Sequence, residues 1–225
     1  MSSPSETLAV PRLSGLSAVA DRYRAVLCDV WGVVHNGIAA YEAAADALSR
    51  FRAAGGTVLL VTNAPRPSAP VKVQLAELGF PATAYDDVLS SGDVTRADLV
   101  ARGVARVHMI GPDRDLSLFD DTGMELVAPD EAELVVCTGL LDDLVETPED
   151  YRSRLLALAA DDFEFVCANP DIVVEKGDRL LYCSGALAAI YEAIGGRVSQ
   201  YGKPHPPVYR AALERIAAIA GRSVP

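Results

Sequence analysis

Three apolar runs in this 225-residue chain end on residues able to handle a phosphoryl group. "VLCD" closes on Asp29, "TVLLVTN" on Thr62 and Asn63, and "RVSQYGKP" on Gly202, Lys203 and Pro204. Aspartate is a poor strand residue and costly to bury unpaired, so an apolar strand ending on Asp29 asks for a partner. A carboxylate, a hydroxyl with turn amides, and an ammonium form a set suited to phosphoryl transfer. The carboxylate attacks phosphorus while the hydroxyl, amides and ammonium bind the equatorial oxygens where charge gathers. Lys203 also neutralises Asp29 and keeps it ionised. A divalent cation is needed to hold carboxylate and phosphate together, and Mg²⁺ suits an oxygen site. Taken singly, each piece has a plainer reading as turn or cap chemistry or an exposed lysine; their matching strand-end positions favour a site.

The elements that must position these groups alternate strand with helix. "AVLCDVWGVV" precedes an Ala-rich helix from about Tyr41 that stops at Gly55-Gly56. "TVLLVTNA" and a helix "SAPVKVQLAELGF" follow. Two β–α units in succession imply parallel strands joined by right-handed crossovers. Further on, "RVHMIG", "ELVVCTG" and "EFVCANP" read as strands, and "TPEDYRSRLLALAA" as a helix opened by Thr147 and Pro148. The helix "SGALAAIYEAIGG", the short strand and the helix "PPVYRAALERIAAIAG" complete the alternation. The expected fold class is α/β: a doubly wound, Rossmann-like parallel-sheet core, residues 1–91 and 183–225, with an α/β cap inserted at 92–182. In such sheets ligands bind beyond the carboxyl ends of the strands.

Composition narrows the partners. The net charge is −11, and the segment 92–182 holds 21 acids against 8 bases while the rest holds 10 against 12. That asymmetry marks the middle as a separate unit, and the absence of a basic patch argues against nucleic acid. The apolar runs are strand-sized, too short for a membrane span. The opening "MSSPSETLAVPRLSG" lacks the basic and apolar regions of a secretion leader. Cys28, Cys137, Cys167 and Cys183 are far apart without C-x-x-C spacing, which disfavours disulfides and zinc and suits a reducing cytosol.

"DVWGVVHNG", "VTNAP" and "YGKPHPPVYRAAL" resemble, in order, the first three motifs of the haloacid dehalogenase superfamily in its class IIA branch. "CANPD" followed by "CSGALAAIYEAIGG" resembles the end of the class IIA cap. The resemblance covers the chain from about Tyr23. It implies that Asp29 is the nucleophile, Thr62 the phosphate-binding residue with Asn63 and Gly32 beside it, and Lys203 the charge partner. It also implies Mg²⁺ held by Asp29 and the backbone carbonyl of Trp31, a cap that selects substrate, and a homodimer. Asn169 and Asp171, a turn by composition, lie near the site by resemblance and are candidate substrate contacts.

Two departures stand out. The family carries a second aspartate two residues after the nucleophile, which protonates the leaving group and later activates water; here that position is Trp31. An indole N–H cannot do this work, and acid–base assistance typically contributes about 10²–10⁴-fold. His35, on the flap after the motif, titrates near neutrality and is a candidate substitute, the alternative being a ring stacked on substrate or on Trp31. Second, the family's fourth motif, a Gly-Asp and a further Asp that complete the metal site, has no counterpart before "AAIAGRSVP". The resemblance therefore predicts that the natural protein continues for on the order of two β–α units of about 30 residues. Arg66 reads as an exposed loop arginine, Ser90 and Ser91 as a hinge into the cap, His108 as strand packing and His205 as a helix N-terminal residue.

The leading expectation is a cytoplasmic Mg²⁺-dependent phosphomonoesterase acting on a small phosphorylated metabolite, with a sugar phosphate as one candidate. A phosphate-metabolite binding protein with weak turnover is the alternative that Trp31 raises. A phospho-acceptor signalling domain fits less well, because of the long insertion and the acid on the first strand.

Overall fold

The computed structural model describes residues 12–221. Residues 1–11, on which the expectation about a secretion leader falls, and residues 222–225 lie outside the described residues.

The first unit runs β1 (Ala25–Asp29), α1 (Glu42–Ala53), β2 (Thr57–Thr62), α2 (Ser68–Glu77) and β3 (Asp87–Ser90). β1 and β3 flank β2 in a parallel three-stranded sheet, with Asp29 opposite Val61 and Thr62 opposite Ser90. β2 is buried on both faces, which explains its unbroken "VLLV". β1 stops at Asp29 rather than running on through Val34, because Val30–Val34 folds into a hydrogen-bonded turn in which Val34 N donates to Val30 O at 2.9 Å.

The second unit runs α3 (Ser91–Ala101), β4 (Arg106–Ile110), β5 (Glu125–Leu126), β6 (Leu134–Cys137), α4 (Arg152–Ala160), β7 (Glu164–Cys167), β8 (Val173–Lys176), β9 (Arg179–Tyr182), α5 (Ser184–Ala193) and β10 (Arg197–Gln200); α6 (Pro206–Ala220) follows. Five strands form a parallel sheet in the order β10-β7-β6-β4-β5, and β8 and β9 form an antiparallel hairpin. The sequence places the end of the insertion at 182, yet β10 pairs with β7 from Arg197 to Gln200. Residues 183–200 therefore belong to the second sheet, and the chain leaves it just before Gly202 and Lys203.

Alternate residues sort the layers. On β2, Val58 and Leu60 face a cluster with Leu48, Phe51, Val71 and Leu75 of α1 and α2. Leu59 and Val61 face the other way, into a cluster that also holds Val94 and Leu99 of α3, Val136 of β6, Val166 of β7, and Val208 and Ile216 of α6. The neighbouring β6 and β7 residues Val135, Cys137 and Phe165 point into a third cluster with Leu155, Leu187 and Tyr191. The period-2 alternation of strands thus gives both sheets a face on one shared apolar layer. The expected separate unit shares its core with the first sheet.

Ser90 and Ser91, read above as a hinge, are fully buried at the junction of β3 and α3. Ser90 accepts from Asp93 N and Ser90 N donates to the Asp93 carboxylate, a capping box. His205 is the N-cap of α6, as its position implied. The four cysteines are free thiols; burial raises the pKa of Cys28 to about 11, Cys167 to about 11 and Cys183 to about 12. Among the described residues no helix is long and apolar enough to cross a membrane.

Candidate active site

The three strand ends meet. Lys203 Nζ donates to Asp29 Oδ1 and, at 2.9 Å, to the carbonyl of Val61. Val30 N donates to the same Asp29 oxygen at 2.7 Å, while Asp29 Oδ2 receives no hydrogen bond from the described residues. The Asp29 side chain is 48% exposed, so the free oxygen is open to a ligand. Thr62, one residue beyond the register partner of Asp29, is buried, and its hydroxyl accepts from Ala64 N at 3.2 Å.

Asn63 ties this group to the second sheet. Its Oδ1 accepts from Lys203 N at 2.7 Å, and its Nδ2 donates to Lys203 O at 3.0 Å and to Asp171 Oδ1 at 2.8 Å. A side chain on Gly202 would sit 2.6 Å from Asn63 Oδ1 and 2.8 Å from Ser91 Oγ, so this crossing accepts only glycine. Burial pushes the Asp171 carboxyl up, against the Asn63 hydrogen bond and the Lys203 charge, which lower it. Asn169 is buried and turns the chain, its Oδ1 accepting from Asp171 N at 3.0 Å. Gly32 is a positive-φ turn residue whose N donates to His35 O at 2.8 Å.

The two unusual flap residues have definite partners. Trp31 Nε1 donates to the carbonyl of Glu175 on β8 at 2.7 Å, across 144 positions of sequence. The residue that stands where an acid was expected therefore holds the β8–β9 hairpin. His35 lies against Trp31 as the alternative reading expected, but edge-on to the indole at an interplanar angle of 78° and not stacked, with ring centroids 5.1 Å apart. Its Nδ1 accepts from Gly37 N at 2.9 Å, so that nitrogen carries no proton and the neutral ring bears its hydrogen on Nε2. Burial lowers the His35 pKa, against the raising effect of Asp29. A neutral imidazole in this tautomer is a hydrogen-bond donor and a poor proton source, so the expected acid role does not fit the geometry.

A cavity of about 430 Å³ extends from this strand end into the second unit. Thr62, Trp31, His35, Asn169, Arg66, Arg114 and Asp115 line it, and Val174, Lys176 and Leu181 of the hairpin form part of its wall. Asp29, Lys203 and Gly32 lie outside that wall. Arg66, expected as an exposed loop residue, instead faces the cavity, its Nε 3.7 Å from Asp115. The hairpin was missed in the sequence, although "VVEKGDRLLY" carries its signal: two strand-like runs separated by Gly177-Asp178, with Gly177 at φ 60°.

A family model for haloacid dehalogenase-like hydrolase matches residues 26–125. A crystal structure of a hydrolase of the haloacid dehalogenase-like family from Brucella suis 1330 is 52% identical, matches 95% of this chain and 79% of its own, and superposes with a TM-score of 0.91. The chain belongs to the haloacid dehalogenase-like family. Bovine chronophin is 28% identical over 95% of this chain and 77% of its own length. A crystal structure of the glycerol phosphate phosphatase of Mycobacterium tuberculosis, in complex with magnesium, is 28% identical with a TM-score of 0.66, covering 88% of this chain and 60% of its own.

Magnesium fits the donors of this haloacid dehalogenase-like site by type. Asp29 offers a carboxylate oxygen free of hydrogen bonds, and Trp31 offers a backbone carbonyl, both hard oxygen donors. Among the described residues no group of three His, Cys, Asp or Glu gathers to make a cage. Mg²⁺ suits a sparse set, since it retains waters and takes phosphate oxygens beside one or two carboxylates.

Proposed function

We propose that this protein hydrolyses the phosphate monoester of a small metabolite through a covalent phosphate on Asp29. The observation that carries the reading is the convergence of Asp29, Thr62 and Lys203 from three separate elements onto one strand-end cluster, in a family whose named members include phosphatases. An Asp29 oxygen attacks phosphorus, the bond to the ester oxygen breaks, and the alkoxide leaves with the electron pair. Water then attacks the aspartyl phosphate, releasing inorganic phosphate and restoring the carboxylate. Thr62 and the turn amides after it bind the equatorial oxygens; Lys203 offsets charge at Asp29 and fixes its rotamer through its second bond, to Val61 O. Mg²⁺, bound by Asp29 and the Trp31 carbonyl, supplies charge neutralisation between carboxylate and phosphate.

The leaving oxygen finds no titratable side chain at position 31. Esters whose alcohols depart readily as anions are therefore the better substrates, and alkyl phosphates the slower ones. The negative charge of the segment 92–182 favours a small ester over an anionic polymer. The acting form is a cytoplasmic protein, with a homodimer proposed on resemblance.

The test is phosphate release from a panel of monoesters with Mg²⁺ by wild type and Asp29→Asn. Turnover in the wild type that falls at least a thousandfold in the variant supports the reading. Equal rates in the two overturn it. Tight ester binding without turnover in either would instead identify a binding protein.

A further inference from the structure

Tyr201 stands between β10 and the lysine of the site. The last paired residue of β10 is Gln200, opposite Cys167, so Tyr201, Gly202 and Lys203 lie beyond the ladder. The Tyr201 ring packs in the apolar layer shared by the two sheets and is 9% exposed, yet its hydroxyl donates to the Asp98 carboxylate on α3. Arg102, one turn further along α3, reaches the same Asp98 oxygen at 3.2 Å and Glu164 Oε1 of β7 at 3.2 Å. Ser199 of β10 donates to that Glu164 oxygen at 2.6 Å. Burial, and then the Asp98 charge, pushes the phenol pKa up, so the group stays a donor at neutral pH. Apolar packing of the ring has no direction, and a phenylalanine would fill the layer as well. A hydrogen bond to a charged acceptor is directional and strong. What the hydroxyl adds is therefore placement.

We propose that Tyr201 is a positioning residue: through Asp98 it sets where Lys203 Nζ meets Asp29. α3 begins at Ser91, directly after Ser90, which is the register partner of Thr62. The Tyr201–Asp98 bond thus ties the chain leading to Lys203 to the helix that rises beside Thr62. From Tyr201 the path to the ammonium is short and held throughout. Gly202 O accepts from His205 N at 2.9 Å, and Asn63 clasps the Lys203 backbone at N and O. The inference rests on the phosphatase reading for its chemistry, though not for its geometry. In that chemistry a displaced ammonium leaves Asp29 less well neutralised and aimed, and a shift of about 1 Å can cost on the order of 10²-fold. Thr62 and the cavity wall keep their places, so the loss falls on kcat and KM holds.

The test uses Tyr201→Phe, which keeps the ring and removes the hydroxyl, with Asp98→Ala, which removes the acceptor, taking its place should the first fail to melt cooperatively. The direct readout is reductive methylation of the native protein with formaldehyde and cyanoborohydride, followed by mass spectrometry. Lys72 and Lys176, the chain's other two lysines, are the internal controls. Methylation of Lys203 relative to these two should rise on the order of fivefold when the bond is lost. The kinetic readout is a double-mutant cycle with Lys203→Met on p-nitrophenyl phosphate. Tyr201→Phe should lower kcat on the order of tenfold with KM within about twofold, and should cost less than about twofold once Lys203 is gone. A merely structural loss would lower both backgrounds alike. Lys203 methylation at the wild-type level, or an equal loss of kcat in the two backgrounds, overturns the proposal. If wild type turns over no ester, the phosphatase reading has failed, and the methylation ratio alone decides the placement of Lys203.

Discussion

Replacing Trp31 by phenylalanine isolates one bond. Phenylalanine keeps an aromatic ring beside His35 and Gly37 but cannot donate to Glu175 O, ending the 2.7 Å contact between flap and hairpin. The hairpin has little else to hold it: Leu181 is buried, whereas Leu180 is 66% exposed and Val173 and Tyr182 are exposed at its open end. A net hydrogen bond contributes about 1 kcal/mol, and 1 kcal/mol is roughly a fivefold change in an opening equilibrium. Local opening of 173–182 should therefore rise about fivefold without a comparable change elsewhere, because exchange of exposed elements follows their own opening free energy. Hydrogen exchange followed by mass spectrometry reads this directly. Val174, Lys176, Leu181 and Tyr182 wall the cavity, so KM should rise by several-fold while kcat changes less. Exchange rates over 173–182 that match wild type within experimental error, with KM unmoved, would refute the claim that Trp31 anchors the hairpin.

Trp31→Asp restores a titratable carboxyl two residues past the nucleophile; turnover of an alkyl phosphate should rise relative to p-nitrophenyl phosphate by at least about tenfold, within the 10²–10⁴ scale of acid–base assistance, and steady-state rates on the two esters check it. Gly37→Ala puts a methyl 2.6 Å from Trp31 Cη2 at a backbone φ of 84°, so thermal melting should show a loss of about 1–3 kcal/mol. Asp115→Asn has a pH signature. Burial raises the folded pKa of Asp115 above its ordinary 3.8, so ionisation begins to oppose folding as pH rises past 3.8 and the cost is complete above the folded value. The variant should melt higher than wild type at pH 7.5, and the gap should close as pH falls towards 3.8; a gap independent of pH contradicts the burial argument.

The strand ends were legible because an acid, a Thr-Asn pair and a Gly-Lys-Pro each follow an apolar run, and the structure brings Asp29 and Lys203 into contact with Thr62 beside them. The reach of Trp31 was not, since its partner is a backbone carbonyl 144 residues away whose identity carries no sequence signal. The boundary at 182 was drawn where charge density falls, but charge reports surface, whereas membership of β10 is set by pairing with β7. The shared apolar layer was hidden for a related reason. Leu59 and Leu60 look alike in sequence, and only the facing of each on β2 separates the inter-sheet cluster from the α1–α2 cluster. Arg66 illustrates the same limit, because a loop arginine reads as solvated until Asp115 is placed opposite it.

β10 ends at Gln200, and Lys203 lies three residues on, its backbone clasped by Asn63 and its ammonium on Asp29. The strand at one edge of the larger sheet is therefore also the stalk of the ammonium that meets Asp29. Any tilt of that sheet against the smaller one tugs on this stalk, so the charge facing Asp29 is geared to the posture of the second unit.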